Sequence, residues 1–154
     1  RRRDAPRARR SLADEQRENE TAACRVIGVT IETRPDKITR RELRRLRTLG
    51  VTRVQLGVQH TDDGVLRHIN RQCTTAAAAR ALRLLKDACF KVDIHLMPDL
   101  PGSTVALDRA MFERVLSDAA LQADQWKIYP CETTPWTRIK QWYDDGVYRP
   151  YGDS

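Results

Sequence analysis

Residues 91–97, KVDIHLM, alternate apolar and polar side chains with a period of two. Successive side chains of a strand point to opposite faces, so Val92, Ile94 and Leu96 share one side and Asp93, His95 and Met97 the other. Three further segments repeat the pattern. In residues 25–32 (RVIGVTIE), Ile27, Val29 and Ile31 oppose Gly28, Thr30 and Glu32; in 52–59 (TRVQLGVQ), Val54, Leu56 and Val58 oppose Gln55, Gly57 and Gln59. In 125–129 (QWKIY), Trp126 and Ile128 oppose Lys127 and Tyr129. A dry core would leave such acid, amide, imidazole and ammonium groups unsatisfied at about 1–3 kcal/mol each. The four polar faces are therefore expected to line a wet or ligand-filled space; the blander alternative is that they hydrogen-bond one another.

Helices separate these strands. Thr39 with Glu42 three residues later makes a capping box that opens a helix through Leu43, Leu46 and Leu49, and Gly50 ends it. A short helix is expected near 65–69 and a longer one over 75–88, with Ala78, Leu82 and Leu85 on one stripe. Further helices are expected over 107–116 and 138–143, the last stopping at Gly146. Strands joined through helices pair in parallel by right-handed crossovers, so the class is α/β. A doubly wound sheet and a partial TIM-type barrel both satisfy this connectivity, and the polar strand faces favour the barrel. Its reacting groups belong at the C-terminal strand ends, where Glu32, Gln59, Met97 and Tyr129 fall.

The 154 residues suffice for one domain. Six of the first ten are Arg, and residues 1–20 carry no helix-period apolar stripe, so they read as a basic linker or disordered arm before a domain at 21–154. A net charge of +7 favours a polyanionic partner without naming it. No apolar run approaches the roughly 18 residues of a membrane span, and no secretory signal opens the chain, so the expected compartment is the cytoplasm, with the nucleus also open. Cys24, Cys73, Cys89 and Cys131 are too dispersed for a local metal loop and read as buried or half-buried thiols.

The segments TIETRPD (30–36), LGVQH (56–60), INR (69–71), KVDIHLMPDLPGS (91–103) and DQWKIYP (124–130) together resemble the radical-SAM domain of the Elongator catalytic subunit family. The resemblance runs from about Asn19 to Tyr151, and ETRPD followed by MPDLPG and KIYP is its specific part. It implies that these are strands three to six of a six-stranded (β/α)6 partial barrel, about four βα units. The first two strands, with the cysteines that hold the [4Fe–4S] cluster, fall outside the chain, so no metal ligand is expected here and the chain alone is expected to be inactive. Two positions depart from the family, which usually has Gly at both: Gln72, and Cys89 at the end of the long helix. A residue there often adopts a positive φ, which Cys tolerates less well.

The same resemblance places Glu32, Gln59, Arg71 and His95 around S-adenosylmethionine, with Met97 and Pro98 flanking adenine. Glu32 and Gln59 can meet hydroxyl and amino groups, Arg71 can grip a carboxylate, and His95 can bond a ribose or adenine atom. Glu32 could instead pair with Arg34 or Arg53, and His95 could be a satisfied interior histidine. Lys127 and Tyr129 are candidates for substrate contact, with pairing to Asp93 the alternative. The implied reaction is carboxymethylation at C5 of tRNA uridine 34: reduced S-adenosylmethionine yields a radical that takes hydrogen from acetyl-CoA. The implied partners are the tRNA anticodon loop, acetyl-CoA and other Elongator subunits.

Arg40, Arg41, Arg44 and Arg45 lie opposite the leucines of the 39–49 helix, near Arg34, Lys37, Arg47 and Arg53, and are candidates for tRNA phosphate contact. Trp136, Trp142, Tyr143, Tyr148 and Tyr151, interleaved with Arg138, Lys140 and Arg149, either stack bases or pack the final helix over the barrel end. Two other functions stay open at this point: a radical-SAM enzyme of the oxygen-independent coproporphyrinogen oxidase branch, and a degenerate barrel that serves as an RNA- or protein-binding scaffold.

Overall fold

Four strands run parallel and in the order of the chain. In the computed structural model, which describes residues 9–151, they are β1 (Thr30–Thr33), β2 (Arg53–Gln59), β3 (Lys91–Leu96) and β4 (Gln125–Ile128), adjacent in that order in one sheet. Crossovers of one hand with sequential order put every connecting helix on the same face, which is the arc of a barrel. A doubly wound sheet reverses its order partway and covers both faces. The register aligns Gln55 with Asp93 and Gln125, and Gly57 with His95 and Lys127, so the polar residues form rows across the open face.

The apolar rows face the helices. Val54, Leu56, Val58, Val92, Ile94 and Leu96 are buried in one core with Leu46 of α2 (Arg40–Thr48), Ala78, Leu82 and Leu85 of α4 (Thr75–Asp87), and Met111 and Val115 of α5 (Val105–Ser117). Each helix starts where its sequence directs it to. Thr39, Thr74 and Thr104 each accept a hydrogen bond from the backbone amide three residues on. Only half of the expected capping box forms, because the Glu42 carboxylate turns to Arg45 at 3.2 Å. A smaller core of Val65, Leu100, Cys131 and Tyr148 joins α3 (Asp63–His68) to α6 (Arg138–Asp144), with Ile69, Met97, Ile139 and Trp142 packed against it.

Three expectations need correction. The strand read at 25–32 begins only at Thr30; Asn19 bonds both the amide and the carbonyl of Val26 at 2.8 Å, and Ile27 is 94% exposed. A side chain has taken the backbone groups that a sheet neighbour would use. Val29 and Ile31 do pack against the main core. Within the arm at 1–20, residues 12–19 form α1 (Leu12–Asn19), begun by Ser11, whose hydroxyl accepts from the Asp14 amide; residues 1–8 lie outside the described residues. Of the cysteines, Cys131 is buried and Cys73 half-buried, but Cys24 and Cys89 are exposed. No described helix is long and apolar enough to cross a membrane.

Candidate nucleotide site

The open face of the sheet has two tiers of opposite character. In the lower tier every polar group finds a partner within the chain. Arg53 donates to Asp93 and, at 3.2 Å, to Gln125, the neighbour of Asp93 on β4, while Gln55 donates to the second Asp93 oxygen at 3.2 Å and accepts from Lys127 at 2.9 Å. Asp93, fully buried, is thus satisfied. Lys127 reaches it only through the Gln55 amide, and Arg53 is committed to it, so neither Lys127–Asp93 nor Glu32–Arg53 pairing occurs. Arg34 is likewise occupied, gripping Asp36 bidentately at 2.8 and 2.7 Å and holding that carboxyl well below the usual range.

The upper tier, at the C-terminal strand ends, is unsatisfied. Glu32 stands 3.4 Å from His95 Nδ1, and the other ring nitrogen, Nε2, is buried without a hydrogen-bond partner among the described residues. Gln59 Oε1 and Arg71 Nε share that condition. A bulge after Gly57 puts Gln59 at φ 73°, with its carbonyl accepting from the Met97 amide at 2.8 Å. Arg71 crosses from the α3–α4 connection to donate to the Gly57 carbonyl at 2.6 Å. A Cβ on residue 57 would lie 2.4 Å from the Arg71 guanidinium and 3.2 Å from the Gln59 amide, so a side chain there would displace both groups from these positions. Burial, and then the nearby Arg34, push the Arg71 pKa down, as expected for a cation short of counter-charge.

Gln59, Arg71 and Met97 line one cavity of about 560 Å³ together with Arg34, Asn70 and Trp142. That size suits a cofactor. His95 and Glu32 pair next to it on the open face rather than on its wall, and Pro98 is also off the wall, half-buried, its carbonyl accepting from Cys131 at 2.9 Å. Tyr129 is exposed and meets the His95 ring edge-on at 6.4 Å.

On α2, Arg40, Arg41, Arg44 and Arg45 are exposed, and Arg45 pairs with Glu42. Arg47 instead binds the Ala88 carbonyl and lies 4.1 Å from the centroid of the Phe90 ring, a structural use that its sequence neighbourhood does not announce. Of the five C-terminal aromatics, Tyr148 is buried and Trp142 and Tyr143 pack against it, whereas Trp136 is fully exposed.

Sequence reasoning passed over a second polar cluster. His60, fully buried, accepts from the Asp62 amide at Nδ1 (2.9 Å), so Nε2 carries the proton and meets Asp108 at 3.0 Å. Asp108 also accepts from Ser103 at 2.5 Å, from the Asp99 amide at 2.6 Å and from the Tyr151 hydroxyl. Burial alone would raise its pKa, but these hydrogen bonds outweigh burial and lower it. One signal was available: Asp108, Met111 and Val115 share a helix stripe, and an acid on a buried stripe demands partners. Ser103 and Asp108 meet the same ring nitrogen, so the group is a structural clamp and not a nucleophile with its base. Among the described residues no cluster of His, Cys, Asp or Glu is placed to hold a metal ion.

A barrel arc whose strand ends present unsatisfied polar groups fits one class in particular: residues 2–111 match the Radical SAM superfamily, and the chain belongs to it. Over 92% of its length it is 37% identical to the tRNA uridine(34) acetyltransferase of Methanocaldococcus infernus, and over 88% it is 37% identical to Elongator complex protein 3 of Mus musculus. The solved structure of archaeal Elp3 from M. infernus superposes with a TM-score of 0.90 at 37% identity, covering 94% of this chain and 34% of that one. Coproporphyrinogen III oxidase of Escherichia coli, at 24% identity and a TM-score of 0.63, shares the fold alone, covering 81% of this chain and 30% of that one. The chain spans 27% and 25% of the two curated relatives.

Proposed function

We propose that the chain supplies the S-adenosylmethionine-binding arc of an enzyme that modifies C5 of uridine 34 in tRNA, with acetyl-CoA as acyl donor. The observation that carries the cofactor reading is the coincidence of three buried, unpartnered polar atoms, on Gln59, Arg71 and His95, at the strand ends. Each would forgo about 1–3 kcal/mol without a polar ligand. Arg71 Nε is a donor suited to a carboxylate, Gln59 Oε1 an acceptor suited to an amino or hydroxyl group, and His95 Nε2 meets a ribose or adenine atom. Glu32 accepts from a hydroxyl or amino group, while Met97 and Pro98 border the adenine. The bound nucleotide supplies the reactive group, and these side chains orient it and keep water from it.

Among the described residues there is no ligand set for the superfamily's [4Fe–4S] cluster. The relatives' names support the tRNA substrate and, for the mouse protein, membership of an Elongator complex with other subunits. Arg40, Arg41, Arg44 and Arg45 are taken to face tRNA phosphates, and Lys127 and Tyr129 to face the acceptor uridine. A basic arm at 1–20, a barrel segment at 21–154 and a cytoplasmic or nuclear location belong to the same reading.

The test is a titration of S-adenosylmethionine into the intact protein carrying this segment. Gln59→Ala is expected to weaken binding about tenfold, the loss of roughly one hydrogen bond to a charged or polar ligand. Unchanged affinity would remove Gln59 from the site.

A further inference from the structure

We propose that Tyr148 and Tyr151 are positioning residues, holding the loop at 97–103 in the one backbone conformation that lets Met97 and Pro98 border the nucleotide; this rests on the S-adenosylmethionine reading above. The loop leaves the cavity wall at Met97 and turns at Asp99, a non-glycine residue at φ 64°. A left-handed aspartate persists only where its surroundings hold it there. Several of the contacts that hold it come from the chain's C-terminal segment. The Cys131 amide donates to the Pro98 carbonyl at 2.9 Å, and the Tyr148 hydroxyl donates to the Asp99 carbonyl at 2.6 Å. The Tyr151 amide donates to the Asp99 carboxylate at 3.2 Å. On the other flank the Asp99 amide donates to Asp108, to which the Tyr151 hydroxyl donates as well.

Two consecutive carbonyls of the loop, those of Pro98 and Asp99, are therefore captured by residues from 131 onward, and Asp108 serves as the shared anchor beneath them. Asp108 takes four donors, the full acceptor capacity of a carboxylate, so the loss of one hydroxyl leaves a buried lone pair unmatched. The same segment also reaches the loop that carries Arg71: Trp142 lies 5.3 Å from the His68 ring, and Ile69 packs in the same small core as Tyr148. One element thus braces both loops that present the unsatisfied groups. A purely structural brace has no reason to concentrate on the two residues that follow Met97.

The experiment uses the intact protein with Tyr148→Phe and Tyr151→Phe, alongside Gln59→Ala and the core variant Val115→Ala, which lies outside the clamp. Nucleotide affinity is measured by calorimetry with S-adenosylmethionine, and hydrogen exchange is followed on the peptide spanning 97–103. The tyrosine variants are expected to weaken binding by about tenfold, the scale of one lost hydrogen bond, to speed exchange of that peptide, and to place the kinetic penalty on KM for S-adenosylmethionine. Val115→Ala is expected to lower Tm while leaving affinity intact. Faster exchange with unchanged affinity overturns the inference, as does an equal affinity loss in Val115→Ala at a matched drop in Tm. If Gln59→Ala weakens binding and the tyrosine variants do not, the inference fails alone; if Gln59→Ala binds normally, the reading of the site fails.

Discussion

Cys89 sits at φ 57° and Gln72 at φ 54°, in the left-handed region that costs a residue with a Cβ more than it costs glycine. Both positions stood out in the sequence only against the resemblance, and the geometry supplies the reason. Cys89 ends α4, is exposed, and has its amide bonded to the Lys86 carbonyl at 2.8 Å, so nothing opposes its replacement. Cys89→Gly is expected to stabilise the fold by about 0.5–1 kcal/mol, read from the urea midpoint; no gain would mean that the thiol packs favourably. Residues were legible where chemistry and strand parity agreed, as for Gln59 and His95. The clamp was not, because His60 and Asp108 are 48 positions apart and their meeting depends on how α5 returns to the sheet.

At the scale of elements, α2 and α4 to α6 were legible to within about two residues because caps and apolar stripes coincide, as in α4 and α5, whereas α1, without an apolar stripe, was read as part of an arm. The segment at 25–29 misled because alternation signals a strand only if a neighbour offers its backbone, and Asn19 had already claimed Val26. The basic face of α2 also needed the structure to divide it. Arg47 is tied to Ala88 and Phe90, while Arg40, Arg41 and Arg44 are exposed and in no ion pair found among the described residues. Reversing those three to Glu is expected to weaken tRNA binding and to flatten its salt dependence by up to about 0.9 in log–log slope per lost phosphate contact. An unchanged slope in filter binding would assign the face to solvent or to a protein partner.

For the molecule as a whole, three carboxylates have pKa values lowered in the folded state: Asp36, held locally by Arg34, and two that tie distant parts together, Asp124 at the Val92 amide and Asp108 in the clamp, where the hydrogen bonds override burial. A depressed folded-state pKa adds stability that is complete above the ordinary value of 3.8 and is lost as pH falls through the folded value. Denaturant midpoints are therefore expected to hold down to the ordinary carboxylate range of about 4 and to fall below it. Asp108→Asn should lower the neutral-pH midpoint and reduce the acid loss; an unaltered pH profile would contradict the clamp.

The parallel order of the strands puts the satisfied polar groups below and the unsatisfied ones at the strand ends, and the account depends on that upper tier meeting a nucleotide. Imidazole nitrogen shifts of the intact protein, followed while S-adenosylmethionine is added to saturation, test this most directly. His95 Nε2 is expected to move to a hydrogen-bonded shift while the clamped His60 stays fixed. A His95 resonance that does not respond to the saturating nucleotide would contradict the account.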